Sequence, residues 1–224
     1  EAEATGYSST AVGKFADATG SNSVALGHDT DATGTESSAL GVFAGAGGDY
    51  SVAVGPATAN GRKAIAIGLN AYASGGQGFA LGSYAQATAS NSTALGGAID
   101  LNADGSIESN EETTASAGLS MALGTDAQAT QTNASAVGAE AVASGLGATA
   151  IGSLSTASAT GAVAIGINSV ADQPYTVSVG WAGNYRRIVN VADPSQAHDA
   201  VNLEYFNAHT TTHATRASRE GSRC

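Results

Sequence analysis

A short motif recurs along this chain at nearly constant spacing and limits the possible folds more than any other feature. Each of its twelve copies is an alanine, an aliphatic residue and a glycine, the last copy having Ser178 in place of the alanine. Successive glycines keep a 14-residue period, which is shortened by a single position after Gly55 and doubled after Gly96. Repetition of this length and regularity predicts a solenoid, in which each coil contacts only its neighbours.

Alternation within each unit predicts two short β-strands per coil. In the copy around Ala25, the alanine faces one side of a strand and the aliphatic Leu26 faces the other. After each glycine, small residues recur at every second position, as in Ala16, Ala18 and Gly20, which predicts a second strand. Stacked strands lie about 4.8 Å apart, so twelve coils predict a rod of about 60 Å.

The composition predicts which face of each strand points into the solenoid and which points outward. Only 12% of residues are charged and 5% are aromatic, so a core of bulky side chains is not available. We therefore expect the alanines to line a narrow interior between two sheets. The aliphatic positions would then form an exposed stripe, which predicts that copies of the chain associate side by side about a symmetry axis. The periodicity leaves the number of copies open.

The charge distribution argues against nucleic acid as a partner. The formal net charge is −11, and residues 1–180 hold three basic side chains against fifteen acidic ones. Nucleic-acid binding depends on neutralising phosphates with Lys and Arg. The single cysteine, Cys224, allows no intrachain disulfide, and no run of 18 apolar residues is present.

The unit NSVALG at 22–27, followed by alternating small residues, resembles the head repeat of YadA-type trimeric autotransporter adhesins over roughly residues 5–206. The resemblance implies an all-β fold, a left-handed parallel β-roll (β-solenoid) of about twelve 14-residue coils in a homotrimer. It further implies display on the outer membrane of a Gram-negative bacterium, with membrane anchoring through a C-terminal region that this sequence lacks.

The segment after the last repeat resembles the neck of that family. Asp199, Ala200, Val201 and Asn202 match its Asp-Ala-Val-Asn motif, whereas Tyr205 and Phe206 stand where the family usually has Gln-Leu. The expected organisation is a head over 5–183, a neck over 184–206 leading to a coiled-coil stalk, and a tail or added remnant over 207–224. His209 and His213 lie four residues apart, but this tail shows no helical pattern, so they are interpreted as surface histidines.

The doubled interval after Gly96 predicts a loop insertion over 97–112 at a corner of the solenoid. Its residues 100–111 match the calcium-loop pattern D-x-[DN]-x-[DN]-G-x₅-E. Calcium is therefore the expected cofactor, and Gly105 would form the sharp turn of its loop. The predicted ligands are Asp100, Asn102, Asp104, Ser106, Glu108 and Glu111.

The resemblance implies a non-enzymatic adhesin head that attaches to host extracellular matrix proteins or cell-surface receptors. The alternative is a trimeric left-handed β-helix enzyme of acyltransferase type. Those enzymes have a six-residue period, so the 14-residue period argues against them.

Overall fold

A computed structural model describes residues 1–100, 105–108 and 111–210. The chain divides into two compact units, Glu1–Tyr185 and Arg186–Cys224. The first unit contains two parallel sheets of twelve strands each, and the chain alternates between the sheets. In the described residues, no helix has the length and apolar character needed to cross a membrane.

One sheet, the short-strand sheet, consists of the odd-numbered strands, each two residues long. They are β1 (Glu3–Ala4), β3 (Asp17–Ala18), β5 (Asp31–Ala32), β7 (Gly45–Ala46), β9 (Thr58–Ala59), β11 (Tyr72–Ala73), β13 (Gln86–Ala87), β15 (Thr114–Ala115), β17 (Gln128–Ala129), β19 (Val142–Ala143), β21 (Thr156–Ala157) and β23 (Val170–Ala171).

The other, the long-strand sheet, consists of the even-numbered strands, which are three residues long except for the last. They are β2 (Thr10–Val12), β4 (Val24–Leu26), β6 (Ser38–Leu40), β8 (Val52–Val54), β10 (Ile65–Ile67), β12 (Phe79–Leu81), β14 (Thr93–Leu95), β16 (Met121–Leu123), β18 (Ser135–Val137), β20 (Thr149–Ile151), β22 (Val163–Ile165) and β24 (Val177–Ser178).

Strands of successive coils pair in register, so equivalent residues stack directly. Ala25 of β4 pairs with Ala11 of β2 and with Ala39 of β6. The parallel β-solenoid of twelve two-stranded coils predicted from the repeat is therefore confirmed.

The interior of the solenoid is lined with alanine. All 32 apolar side chains that are buried in the described residues belong to alanine. Ala25 comes from the long-strand sheet and Ala18 from the short-strand sheet, and both are completely buried. The expectation of a narrow interior filled by small residues is confirmed.

Two turns close each coil, and they are named here after the strands that precede them. The long-strand corner follows a long strand, as at residues 13–15, and the short-strand corner follows a short strand, as at 20–22. Turns of successive coils are joined by backbone hydrogen bonds, with Asn22 N donating to Tyr7 O at 2.7 Å and Phe43 N to His28 O at 3.0 Å. Both corners place a residue in the left-handed region, with φ of 56° at Asn22 and 58° at Phe43.

The second unit, described from Arg186 to Thr210, contains the helix α1 over residues 203–210. Asn202 caps it, because its Oδ1 accepts from Tyr205 N at 2.7 Å. The Nδ2 of the same side chain donates to Val191 O at 3.0 Å. The cap supplied by Asn202 starts a helix that the apolar periodicity does not signal.

The structure tests the prediction for only one of the two histidines of the tail. His209 lies in α1, with its ring stacked on that of Tyr205 at 4.0 Å, so the absence of helix expected there is wrong. His213 lies outside the described residues.

Asp199 organises the turn before α1. Its Oδ2 accepts from the backbone N atoms of Ser195 and Gln196, each at 2.9 Å. These hydrogen bonds to the ionised carboxylate lower the pKa of Asp199. Two residues of the Asp-Ala-Val-Asn motif, Asp199 and Asn202, therefore fix the local backbone.

The close stacking of coils predicts which glycines are indispensable. Gly138 has a φ of +133°, and a Cβ there would lie 2.6 Å from the carbonyl carbon of Gly152 in the next coil. We expect Gly138→Ala to cost more than about 3 kcal/mol of stability, beyond the usual range for point substitutions.

The matched control is Gly147→Ala, where φ is +62° and a Cβ meets nothing within 4 Å. That change should cost about 1–2 kcal/mol from backbone strain alone. Thermal unfolding followed by circular dichroism measures both variants, and equal losses would contradict the stacking account.

Candidate functional site

The outward face of the long-strand sheet carries a continuous row of aliphatic side chains. The residue that precedes each glycine points away from the alanine interior, and six of these residues are 38% to 59% exposed. The six are Val12, Leu26, Leu81, Leu123, Ile151 and Ile165. An apolar patch that follows the whole length of a solenoid is typical of an interface.

The outward face of the short-strand sheet is mostly polar. In the first three coils, the outward residues of this sheet are Glu3, Asp17 and Asp31, which stack on one another. Burial raises the pKa of Asp31, and the negative charges of Asp17 and Asp29 raise it further. The two faces of one solenoid therefore differ in chemistry, and only one of them needs to be covered.

The insertion leaves from a long-strand corner and interrupts neither sheet. Gln86 of β13 pairs with Thr114 of β15, and Leu95 of β14 pairs with Leu123 of β16, across the additional residues. At the base of the loop, Ile99 N donates to Glu111 O at 3.1 Å. Because both sheets continue, the loop adds a feature to the surface without disturbing the core.

Four of the six predicted calcium ligands lie in the described part of the chain: Asp100, Ser106, Glu108 and Glu111. Asp100 Oδ2 accepts from Gly105 N at 2.8 Å, and Glu111 Oε2 accepts from Glu108 N at 3.1 Å. Gly105 has a φ of +87°, as a sharp turn requires.

The other two predicted ligands, Asn102 and Asp104, lie outside the described residues. Among the residues that are described, no group of three or more His, Cys, Asp or Glu side chains is placed to hold a metal ion. Calcium binding by the 100–111 loop therefore stays a prediction.

Buried carboxylates surround the base of the loop. Glu111 is 1% exposed, Glu112 is 8% exposed and Asp126 is 5% exposed. Glu112 Oε2 accepts a hydrogen bond from Gln86 Nε2, and Asp126 Oδ1 accepts one from Gln128 Nε2 at 3.2 Å. The sequence pattern singled out Glu111 but missed Glu112 and Asp126. These two residues lie outside the 100–111 motif, and nothing in the sequence indicates that their side chains become buried.

Desolvation raises the pKa of two of these carboxyl groups. Burial raises the pKa of Glu112. Burial also raises the pKa of Asp126, and the negative charges of Glu140 and Glu111 add to the effect, while the Gln128 hydrogen bond lowers it. Burial therefore opposes ionisation of Glu112 and Asp126, and a cation bound nearby would favour their ionised forms.

We expect calcium to bind the wild-type chain and Glu111→Gln to abolish that binding, because the substitution removes one carboxylate of the loop. Isothermal titration calorimetry measures the binding, with Glu140→Gln as a control outside the loop. Absence of binding heat from the wild type at millimolar calcium would contradict the prediction.

Asp126→Asn should raise the melting temperature at pH 7 in calcium-free buffer, by about 2–4 °C for each kcal/mol relieved. A raised pKa makes the ionised carboxylate unfavourable in the folded chain, so the gain should shrink as pH falls and vanish below 3.8, where both states bind the proton. Asp29→Asn is the control, because it has a left-handed backbone like Asp126 but a side chain that is 41% exposed. A gain that does not depend on pH would contradict this origin.

Comparisons with known proteins agree with this geometry. The family described as the YadA head domain repeat matches residues 4–30, 32–58, 59–85, 73–98, 115–141, 143–169 and 157–182. The solved collagen-binding domain of the Yersinia adhesin YadA is 24% identical, with a TM-score of 0.53 over 81% of this chain and 87% of that one. At this level of identity, the structural similarity to the Yersinia domain indicates a shared fold and does not by itself indicate a shared ligand. A search of curated proteins finds no match.

Because the family's repeat covers most of the solenoid, the chain belongs to the YadA head-domain repeat family.

Proposed function

We propose that this chain is the head of a bacterial surface adhesin, which attaches as a homotrimer to host extracellular matrix proteins or cell-surface receptors. The observation that carries the proposal is the apolar outward face of the long-strand sheet in a chain whose repeats belong to the YadA head family. The head would be displayed beyond the outer membrane of a Gram-negative bacterium, and attachment would involve no catalysis.

The apolar face supports the assembly part of the proposal. Removing apolar surface from water contributes about 25 cal/mol for each Å² buried. The alanine interior of one solenoid offers little such burial, whereas the exposed aliphatic rows offer it in every coil. Because every coil carries the same face at the same height, three parallel copies about one axis would cover it along the whole rod.

The family and the extended shape of the solenoid support the adhesive part. The similar domain from Yersinia is described as collagen-binding, which makes collagen the first matrix protein to examine. A rigid trimer presents three copies of any contact surface, so weak individual contacts would combine into firm attachment.

The acyltransferase alternative predicts a six-residue sequence repeat. The repeat here has 14 residues and forms one coil of two strands, which argues against that alternative.

A pair of substitutions tests the assembly. Ile151 lies on the outward face of the long-strand sheet and is 43% exposed, while Val170 lies on the outward face of the short-strand sheet and is 40% exposed. Ile151→Asp should dissociate the assembly, because it places a charge in an apolar interface, and Val170→Asp should leave it intact. Size-exclusion chromatography with light scattering measures both, and equal behaviour of the two variants would contradict the assigned interface.

Adhesion is tested with the purified head on surfaces coated with collagens, fibronectin or laminin. We expect concentration-dependent binding to at least one of these proteins, and at least a tenfold loss for Ile151→Asp, because dissociated chains lose multivalency. No binding to any of the surfaces by an intact assembly would contradict the matrix-binding proposal.

A further inference from the structure

An exposed aromatic cluster lies on the long-strand corners of the first three coils. Phe15 is 48% exposed and Phe43 is 61% exposed, and they lie one coil on either side of His28. The ring centroid of His28 is 6.0 Å from that of each phenylalanine, and the ring planes are steeply inclined, at 75° and 88°. The two phenylalanines are two coils apart, about 10 Å along the rod.

Both phenylalanines keep a large exposed area beside their contacts within the solenoid, which are His28 for both rings and the Lys14 ammonium, 4.8 Å from the centroid of Phe15. Both occupy a turn position with φ near +60°, which bulky residues rarely adopt. Asp29, Asn70 and Asn168 occupy the same position in other coils, and Asn and Asp tolerate that backbone better, whereas Tyr84 and Leu154 also adopt it. The turn itself therefore does not require an aromatic ring, and a largely exposed ring indicates a role in contact with another molecule.

The long-strand corner varies in length along the solenoid, which favours its accessibility when copies associate through the apolar face. Both departures from the 14-residue period fall at this corner. Gly45 pairs with Thr58 because the corner at Pro56 is one residue short, and Gln86 pairs with Thr114 because the insertion leaves from the same corner. A ridge with a shortened turn and a long loop cannot make the same contact with another copy in every coil, so we expect the cluster to stay exposed in the assembly.

Polar groups border the rings on the side of the short-strand sheet. A shallow depression beside Phe15 is lined by Asp17 and Asp31. A second depression, beside Phe43, is lined by Asp31, Thr33 and other polar residues. These depressions offer hydrogen-bond acceptors next to apolar ring faces.

The chemistry of the cluster selects its ligand. Three carboxylates, those of Asp17, Asp29 and Asp31, outnumber the one nearby cation, Lys14, so the cluster disfavours anions. Burial raises the pKa of Asp31, and the charges of Asp17 and Asp29 raise it further. Asp29 lies 3.1 Å from His28 Nδ1, so the polar groups at the ring edges include both an acceptor and an imidazole. A neutral sugar fits this combination, because its C–H faces pack on aromatic rings while its hydroxyls donate to carboxylates.

We propose that Phe15, His28 and Phe43, with Asp17, Asp29 and Asp31, form a binding site for a neutral oligosaccharide. The separation of the two phenylalanine rings exceeds one sugar ring, so the ligand has at least two sugar units. This inference deepens the proposed adhesin function, since it names a ligand class on the host surface. In a trimer the site occurs three times, which would raise the avidity for a surface carrying many glycans.

The test uses the assembled head on a printed array of neutral, sialylated and sulfated oligosaccharides. We expect binding to a neutral oligosaccharide, with weaker binding to its sialylated or sulfated forms. Phe15→Ser and Phe43→Ser should each weaken the affinity about tenfold, a loss of about 1.4 kcal/mol. The control is Leu154→Ser, which occupies the same turn position with φ of 59° and is 43% exposed, and it should bind like the wild type.

Several outcomes would overturn the inference. They are no binding to any glycan, a preference for acidic glycans, and equal affinity of Phe43→Ser and the wild type. Dissociation of the assembly by Phe43→Ser would also overturn it, since the cluster would then belong to the subunit interface. If the glycan array is negative while the head still binds collagen or fibronectin, the oligosaccharide site fails and the adhesin function stands.

Discussion

The interior of this solenoid is so thin that alanine is the only apolar side chain that fills it in the described residues, and the remaining architecture depends on this constraint. With Ala18 and Ala25 contributed by the two sheets, every bulky aliphatic residue must point outward. The glycine after each long strand permits the coils to stack, since a Cβ at Gly138 would meet the backbone of the next coil. A solenoid built in this way gains little from its own core, so its apolar outward face has to contribute through association.

The two corners of the coil divide the remaining tasks. The short-strand corner keeps the same length in every coil, which maintains the stacking. The long-strand corner is shortened at Pro56 and expanded by the insertion, and it carries the aromatic cluster around His28. Variation is tolerated there because both sheets pair across it without a change of register. The structure thus separates a constant geometry, which holds coils together, from a ridge on which ligand contacts can be placed.

The fold could be predicted from the sequence because one constraint repeats in every coil. Ala25, Leu26 and Gly27 specify the inward face, the outward face and the turn, and each later copy repeats the same assignment. The helix over 203–210 could not be predicted in this way, because Asn202 starts it through a single side-chain cap. The burial of Glu112 and Asp126 depends on where the loop returns to the solenoid, and the contact of Phe15 with His28 depends on coil stacking. Such contacts between coils leave no local pattern in the sequence.

The central claim is that the apolar face is covered only when copies of the chain associate. Sedimentation equilibrium of the purified chain, at concentrations from micromolar to nanomolar, tests it most directly. The account predicts a species of three times the chain mass of 21.7 kDa, with loss of β-structure when dilution dissociates it. A single chain that sediments as a monomer and retains its full circular dichroism spectrum would contradict it.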